Sequence, residues 1–230
     1  MIDIHSHQQR KDIFCVENII YPIEVDNYNP NTPFSIGLHP YEVDKMDKNN
    51  LDKILSELET YLSFSNVYLF GEAGLDKQIK TDFSWQISVF EQQLLLNKKI
   101  DKPFIVHCVG AYNEIVSIYK KNKCNFPLIF HGFNKKYTVA QELQKQGFYL
   151  SFGAALLHNP STQQSFIQSD KRLIFLETDA QNSHKIEEIY QKAAILAEKG
   201  LKVDLAAQIY DNFIHLFPKK ANFAPVLSYQ

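Results

Sequence analysis

Hydrophobic and polar positions follow two periods along this chain. Short apolar runs rich in β-branched and aromatic residues fall at 2–5, 13–20, 33–38, 66–71, 103–107, 127–131, 147–152 and 172–177, and their length and composition predict strands. Between most of them the apolar positions recur at helical spacing. Leu51, Ile54, Leu55, Leu58 and Leu62 form one such stripe, and Phe83, Ile87, Phe90, Leu94 and Leu95 form another. Further helices are predicted at 111–121, 136–146, 185–199 and 202–216. Strand–helix alternation with short connections implies a parallel sheet, and eight strands imply a TIM-like (β/α)8 barrel. The first unit is shortened and the barrel somewhat distorted, because Gln8 to Asp12 leaves no room for a helix between strands one and two. No internal repeat or linker interrupts the pattern, so residues 1–230 are expected to form a single domain, with Pro218 to Gln230 as a surface wrap.

Composition narrows this picture. The chain is 45% hydrophobic and 13% aromatic, which supplies a large core and excludes a disordered segment. The formal charge of −2 advertises no broad basic surface. Bound divalent cations would themselves supply positive charge to an anionic substrate, so that argument is weaker for a metalloenzyme. Cys15, Cys108 and Cys124 form no paired motif, an odd count that suits a reducing compartment. No apolar run reaches membrane-spanning length, and a strand starting at Ile2 leaves no space for a signal peptide. A cytoplasmic, monomeric protein is therefore expected.

The candidate chemistry lies at the ends of the strands. His5 and His7 are two residues apart at the end of the first, so both imidazoles leave the same face. The run Val67–Gly71 leads into Glu72, Pro103–Val106 into His107 and Pro127–Phe130 into His131. Leu173–Leu176 leads through Glu177 and Thr178 to Asp179. In parallel α/β folds the carboxyl ends of the strands form one rim, where active sites sit. Four imidazoles and two carboxylates around such a rim suit two divalent ions sharing a carboxylate better than one tetrahedral zinc. Zn, Mn, Fe or Co fit imidazoles best, and Mg is a further candidate. Asp179 is the expected general base, since a rim carboxylate can bind a cation and accept a proton. His39 precedes Pro40 at the end of another strand and faces the same rim as a substrate contact. Tyr41 after Pro40, and Lys77, Lys135 and Lys136 in the loops after Asp76 and His131, are further candidate substrate contacts. Asp76 and Glu177 are expected to support the ligands. His158, His184 and His215 have no such placement and read as structural or solvated.

These segments resemble the TatD family of metal-dependent hydrolases, within the amidohydrolase-like barrels. The resemblance rests on Ile4-His5-Ser6-His7, Gly37-Leu38-His39-Pro40, Gly71-Glu72-Ala73-Gly74-Leu75-Asp76, Val106-His107, His131-Gly132-Phe133, Tyr149-Leu150-Ser151-Phe152-Gly153 and Leu176-Glu177-Thr178-Asp179-Ala180. A helix with Gln86, Phe90, Gln93 and Leu94 and a closing Asn212…Leu216-Phe217 extend it along nearly the whole chain. It implies a metal site of His5, His7, Glu72, His107, His131 and Asp179, with Glu72 bridging two ions and Asp179 orienting or deprotonating the attacking water. It also implies a deoxyribonuclease or phosphodiesterase acting on single-stranded DNA or 3′ ends. The alternatives are hydrolysis of another bond, such as a D-aminoacyl-tRNA ester or a small amide or lactone, and a non-catalytic barrel.

The chain departs from the family pattern in three places. Gln8 and Gln9 stand where an aspartate is usual, and Gln181 where a proline is. Cys108-Val109-Gly110 follows His107 where a Ser-Arg-Asp run is usual. Loss of that arginine removes a natural phosphate clamp, so the hydrolytic chemistry carries over more directly than the substrate.

Overall fold

The computed structural model describes residues 1–10, 12–22, 29, 31–180, 185–198 and 204–218. Eight parallel strands alternate with helices in the order of an α/β (β/α)8 barrel. The strands are β1 (Ile2–Ser6), β2 (Phe14–Ile20), β3 (Phe34–Gly37), β4 (Val67–Asp76), β5 (Phe104–Val109), β6 (Leu128–Phe130), β7 (Tyr149–Phe152) and β8 (Ile174–Leu176). The helices are α1 (Pro40–Val43), α2 (Leu51–Leu62), α3 (Phe83–Ile100), α4 (Tyr112–Lys121), α5 (Tyr137–Gln144), α6 (Ala155–His158), α7 (Pro160–Gln168), α8 (Ile186–Glu198) and α9 (Leu205–Leu216). Among the described residues none forms a helix between β1 and β2, and none of the helices is long and apolar enough to cross a membrane. The expected terminal wrap beyond Pro218, together with His184 and Gln181, lies outside the described residues.

The chain forms two compact units, Met1–Glu17 with Ile129–Gln230, and Asn18–Leu128. In the first, β1 pairs with the start of β2 (Ile2 with Phe14, Asp3 with Cys15), β6 with β7 and β7 with β8. A bridge from Ser6 to Asp179 joins β1 to the segment after β8. Edge-to-face rings fill its core, with Phe14 against Phe213 at 4.7 Å and Phe152 against Phe166 at 5.3 Å. Asn212 of α9 donates its Nδ2 to the carbonyls of Lys171 (2.8 Å) and Ile174 (2.9 Å), fixing the start of β8. Lys171 is buried and donates to the carbonyls of Phe166, Ile167 and Ser169 at the end of α7.

In the second unit, β3 pairs with β4 and β4 with β5. Phe104 packs on Phe70 at 4.9 Å, Phe90 at 6.0 Å and Phe126 at 6.1 Å. All ten residues of β4 are buried, as expected for a parallel strand covered on both faces. The strand was expected to end at Glu72 but runs on to Asp76, so Glu72 sits mid-strand, and His107 likewise lies inside β5. Glycine is the physical reason. A Cβ at Gly74 would lie 1.9 Å from the carbonyl oxygen of His107, and one at Gly71 (φ 118°) would lie 2.3 Å from that of Ile105. The two strands approach closely only because those side chains are absent, and the ladder then extends through Asp76 with Val109.

Helices α6 and α7 arise from a stretch with no apolar periodicity. The local signal for α7 is Asn159-Pro160: the Asn159 side chain accepts from the amides of Ser161 (2.9 Å) and Thr162 (3.2 Å), and Pro160 takes the first turn. Its buried side is Thr162, Ser165 and Phe166, two hydroxyls and one ring, which a hydrophobic pattern does not register.

Candidate metal centre

In the first unit the site is built on the seam of β1 and β8. Asp179 adopts the left-handed conformation (φ 53°), which aspartate tolerates better than most residues. Its amide donates to the His5 carbonyl (3.0 Å), and its own carbonyl accepts from the His7 amide (3.2 Å). The carboxylate is thereby held 3.6 Å from His5 Nε2 and 3.5 Å from His7 Nε2. His5 is fully buried, whereas 36% of the Asp179 side chain is exposed, so solvent reaches the carboxylate. His131, the first residue after β6, lies with its ring 4.5 Å from that of His5. Glu177 is buried, accepts from the Gly132 amide at 2.6 Å and stands 3.6 Å from His131 Nδ1. The donor atoms of His5, His7 and Asp179 all lie within 4.8 Å of one another, as do those of His131, Glu177 and Asp179.

Beneath this seam Asp3 accepts from the Thr178 amide (3.1 Å) and hydroxyl (2.7 Å), with Arg10 Nε at 3.6 Å. Burial pushes the Asp3 carboxyl up to about 6, the Thr178 hydrogen bonds acting against it. Asp3 and Thr178 tie together the strand ends that carry His5 and Asp179. Neither was singled out from the sequence, although Asp3 shares the His5–His7 face at the same two-residue spacing.

In the second unit, Glu72 and His107 come together across the β4–β5 ladder, with Glu72 Oε1 2.7 Å from His107 Nδ1. Asp76 Oδ2 lies 3.3 Å from His107 Nε2. The 2.7 Å separation fits an Nδ1 proton donated to Glu72 Oε1; moving the proton to Nε2, where Asp76 can accept it, would instead free Nδ1 for a cation. His39 Nδ1 caps α1 by accepting from the Tyr41 amide (3.1 Å), and its Nε2 points at Glu72 Oε1 (3.2 Å). A neutral imidazole that accepts at Nδ1 carries its proton on Nε2. His39 is therefore a hydrogen-bond donor toward Glu72, not a cation ligand, despite lying in the same cluster.

Two glutamines of α3 hold the loops that carry these groups. Gln93 bonds both the amide (2.9 Å) and carbonyl (3.2 Å) of Leu38, just before His39. Gln86 bonds the amide (2.8 Å) and carbonyl (3.0 Å) of Asp76. Asn18 of β2, absent from the sequence expectations, donates to Glu72 Oε2 at 3.2 Å and accepts from the Glu72 amide at 3.0 Å. Its signal is a polar pair, Glu17-Asn18, within an otherwise apolar strand.

Of the expected substrate contacts, Tyr41 is 53% exposed and stacked on His39 at 5.0 Å and 20°. Lys135 and Lys136 are exposed before α5. The Lys77 ammonium is paired with Glu114 and lies 5.4 Å from the centre of the Phe83 ring. His158 and His215 are exposed on α6 and α9, outside every cluster described above.

Imidazole-and-carboxylate sets of this kind fit borderline divalent cations such as Zn, Mn, Fe or Co. Residues 18–218 match the family model described as TatD related DNase. The chain belongs to the TatD family. It is 33% identical over 151 residues to the uncharacterized metal-dependent hydrolase YabD of Bacillus subtilis, and 29% identical over 154 residues to the putative deoxyribonuclease tatdn3 of Danio rerio. Each alignment covers 63% of this chain but only 57% of the relative's length. Among solved structures, YJJV, a TatD homologue from Escherichia coli, superposes with a TM-score of 0.78 at 20% identity, covering 94% of this chain and 97% of that one. That likeness establishes the barrel fold.

Proposed function

We propose that this chain is a divalent-metal-dependent hydrolase that cleaves phosphodiester bonds of DNA, acting on single strands or 3′ ends. The observation that carries the reading is the donor chemistry of a TatD chain. His5, His7, His131 and Asp179 gather at the strand ends of one unit, and Glu72 with His107 on β4 and β5 of the other. We assign these six residues to one centre for two cations, with Glu72 shared between them, and residues 1–230 to one functional domain acting as a monomer. The three free thiols support a reducing, cytoplasmic setting.

Divalent cations bound there would acidify water and offset charge developing on a phosphate oxygen. The chain's own residues do the rest. Asp179 is the one carboxylate of the β1–β8 seam with substantial exposure, and it accepts the proton of the attacking water. The Nε2 proton of His39 holds the Glu72 carboxylate from one side. With a cation bound, Asp76 would accept the Nε2 proton of His107 and leave Nδ1 to the metal. Tyr41, an exposed ring on a rigid imidazole platform, offers a stacking surface for an unpaired base.

One observation favours a different bond. Lys77, one of the three lysines offered in place of the missing phosphate-clamping arginine, is paired with Glu114. An uncharged ester, such as a D-aminoacyl-tRNA linkage, needs no such clamp. The deciding experiment is metal analysis of the purified protein followed by assays with Mn, Mg and Zn on single-stranded DNA, a simple phosphodiester and aminoacyl-tRNA. Metal-dependent DNA cleavage is expected, falling by more than about 100-fold in Glu72→Ala and Asp179→Ala, because even outer-shell changes cost about 10–100-fold. Deacylation without DNA cleavage would establish the ester reading, and no metal-dependent turnover would refute both.

A further inference from the structure

We propose that Asn18 is a positioning residue for Glu72, setting the plane of its carboxylate and keeping Oε1 on the His39–His107 side. The inference rests on the reading of Glu72 as a cation ligand. Asn18 is 1% exposed and grips Glu72 at two places. Its Oδ1 accepts from the Glu72 amide at 3.0 Å, and its Nδ2 donates to Glu72 Oε2 at 3.2 Å. Ser35 of β3 donates its hydroxyl to the same Oδ1 at 3.0 Å. Two donors converge on Oδ1, so the amide has one sensible orientation, with its NH2 toward the carboxylate. On the far side of Glu72, Oε1 faces His107 Nδ1 at 2.7 Å and His39 Nε2 at 3.2 Å. The carboxylate is thus held at both oxygens, and rotation about its last torsion would break contacts on each side.

Only asparagine meets these demands at this length. Aspartate accepts the two donors equally well but sets an oxygen against Glu72 Oε2, where like charges repel. Alanine leaves the Glu72 amide without its acceptor in a buried place. Ser35 acts one step further out, since its hydroxyl selects the amide orientation. A purely structural asparagine would affect stability alone, whereas a positioning residue also changes cation affinity and the chemical step.

The test measures Mn2+ binding by calorimetry and electron paramagnetic resonance, together with steady-state kinetics, on N18A, N18D and S35A. We expect N18A and N18D to weaken Mn2+ binding by about 10–100-fold, the range for outer-shell partners of ligands. kcat should fall with the affinity while KM stays within about twofold, because the substrate's ground-state contacts are untouched. S35A keeps the grip on Glu72 and should show a smaller loss in the same direction, so it reports even if the Asn18 variants fold poorly. A crystal structure of metal-free N18D adds a readout independent of activity, in which the Glu72 carboxylate is expected to leave His107 Nδ1. Folded N18A or N18D with wild-type Mn2+ affinity, or an unmoved Glu72 in metal-free N18D, would overturn the proposal. If the wild type binds no Mn2+, the assignment of Glu72 as a ligand fails, and its position in N18D still decides the role of Asn18.

Discussion

Thr178→Val isolates the joint between the strand ends that carry His5 and Asp179. Valine has nearly the shape of threonine, so packing against the fully buried Asp3 is kept and one hydroxyl is lost. That hydroxyl donates to Asp3 Oδ2 at 2.7 Å and lies 3.1 Å from Ser6 Oγ. A hydrogen bond to a charged group contributes about 1.5–3 kcal/mol net, and here the partner left behind is buried. The Thr178 amide still reaches Asp3 Oδ1. Arg10 Nε at 3.6 Å is too far for a full hydrogen bond but tempers the loss. We therefore expect about 2 kcal/mol of destabilisation, which for a domain of this size lowers Tm by about 4–8 °C. Calorimetry in excess chelator near neutral pH keeps metal binding out of the measurement. Thr178→Ser, which restores the donor, should recover most of the loss. Because the seam also holds His5, His7 and Asp179, the valine variant should bind Mn2+ more weakly in a parallel titration. A Thr178→Val protein melting within about 1 °C of wild type would refute the reasoning.

Two other variants test the backbone and the frame. Asp179→Ala and Asp179→Asn should both lose metal binding. At φ 53° the alanine variant should be less stable than the asparagine variant by about 1 kcal/mol, read from denaturant midpoints. Lys171→Met keeps the apolar stem and removes donors 2.6, 3.1 and 2.7 Å from three carbonyls at the end of α7. It should cost about 2 kcal/mol, at roughly 1 kcal/mol each for the Ile167 and Ser169 carbonyls, since Phe166 still accepts from the Ser169 amide (3.3 Å), with Mn2+ affinity unchanged.

Most of the strand and helix order was legible because each barrel element buries a face and so writes its period into the sequence. The misreadings have local causes. Helix α7 buries Thr162, Ser165 and Phe166, a face too polar to read as hydrophobic. Strand β4 passes its apparent end because Gly71 and Gly74 admit a neighbour that any side chain would exclude. Gln86 and Gln93 stood out only through family likeness, and the structure supplies their reason: each clamps the loop bearing a site residue.

The sequence by itself determined which side chains are the candidates for the chemistry. His5, His7, Glu72, His107, His131 and Asp179 follow apolar strand runs, and strand ends of a parallel α/β fold share one rim. Tertiary structure alone decided how those groups are held and what each nitrogen can do. The Tyr41 amide on Nδ1 makes His39 a donor, and His107 is set between Glu72 at Nδ1 and Asp76 at Nε2. Asp3 and Asn18 work through partners far along the chain, at Thr178 and Glu72. Hydrogen bonds between residues distant in sequence leave no periodicity behind, since they depend on distances and angles that exist only once the strands are paired.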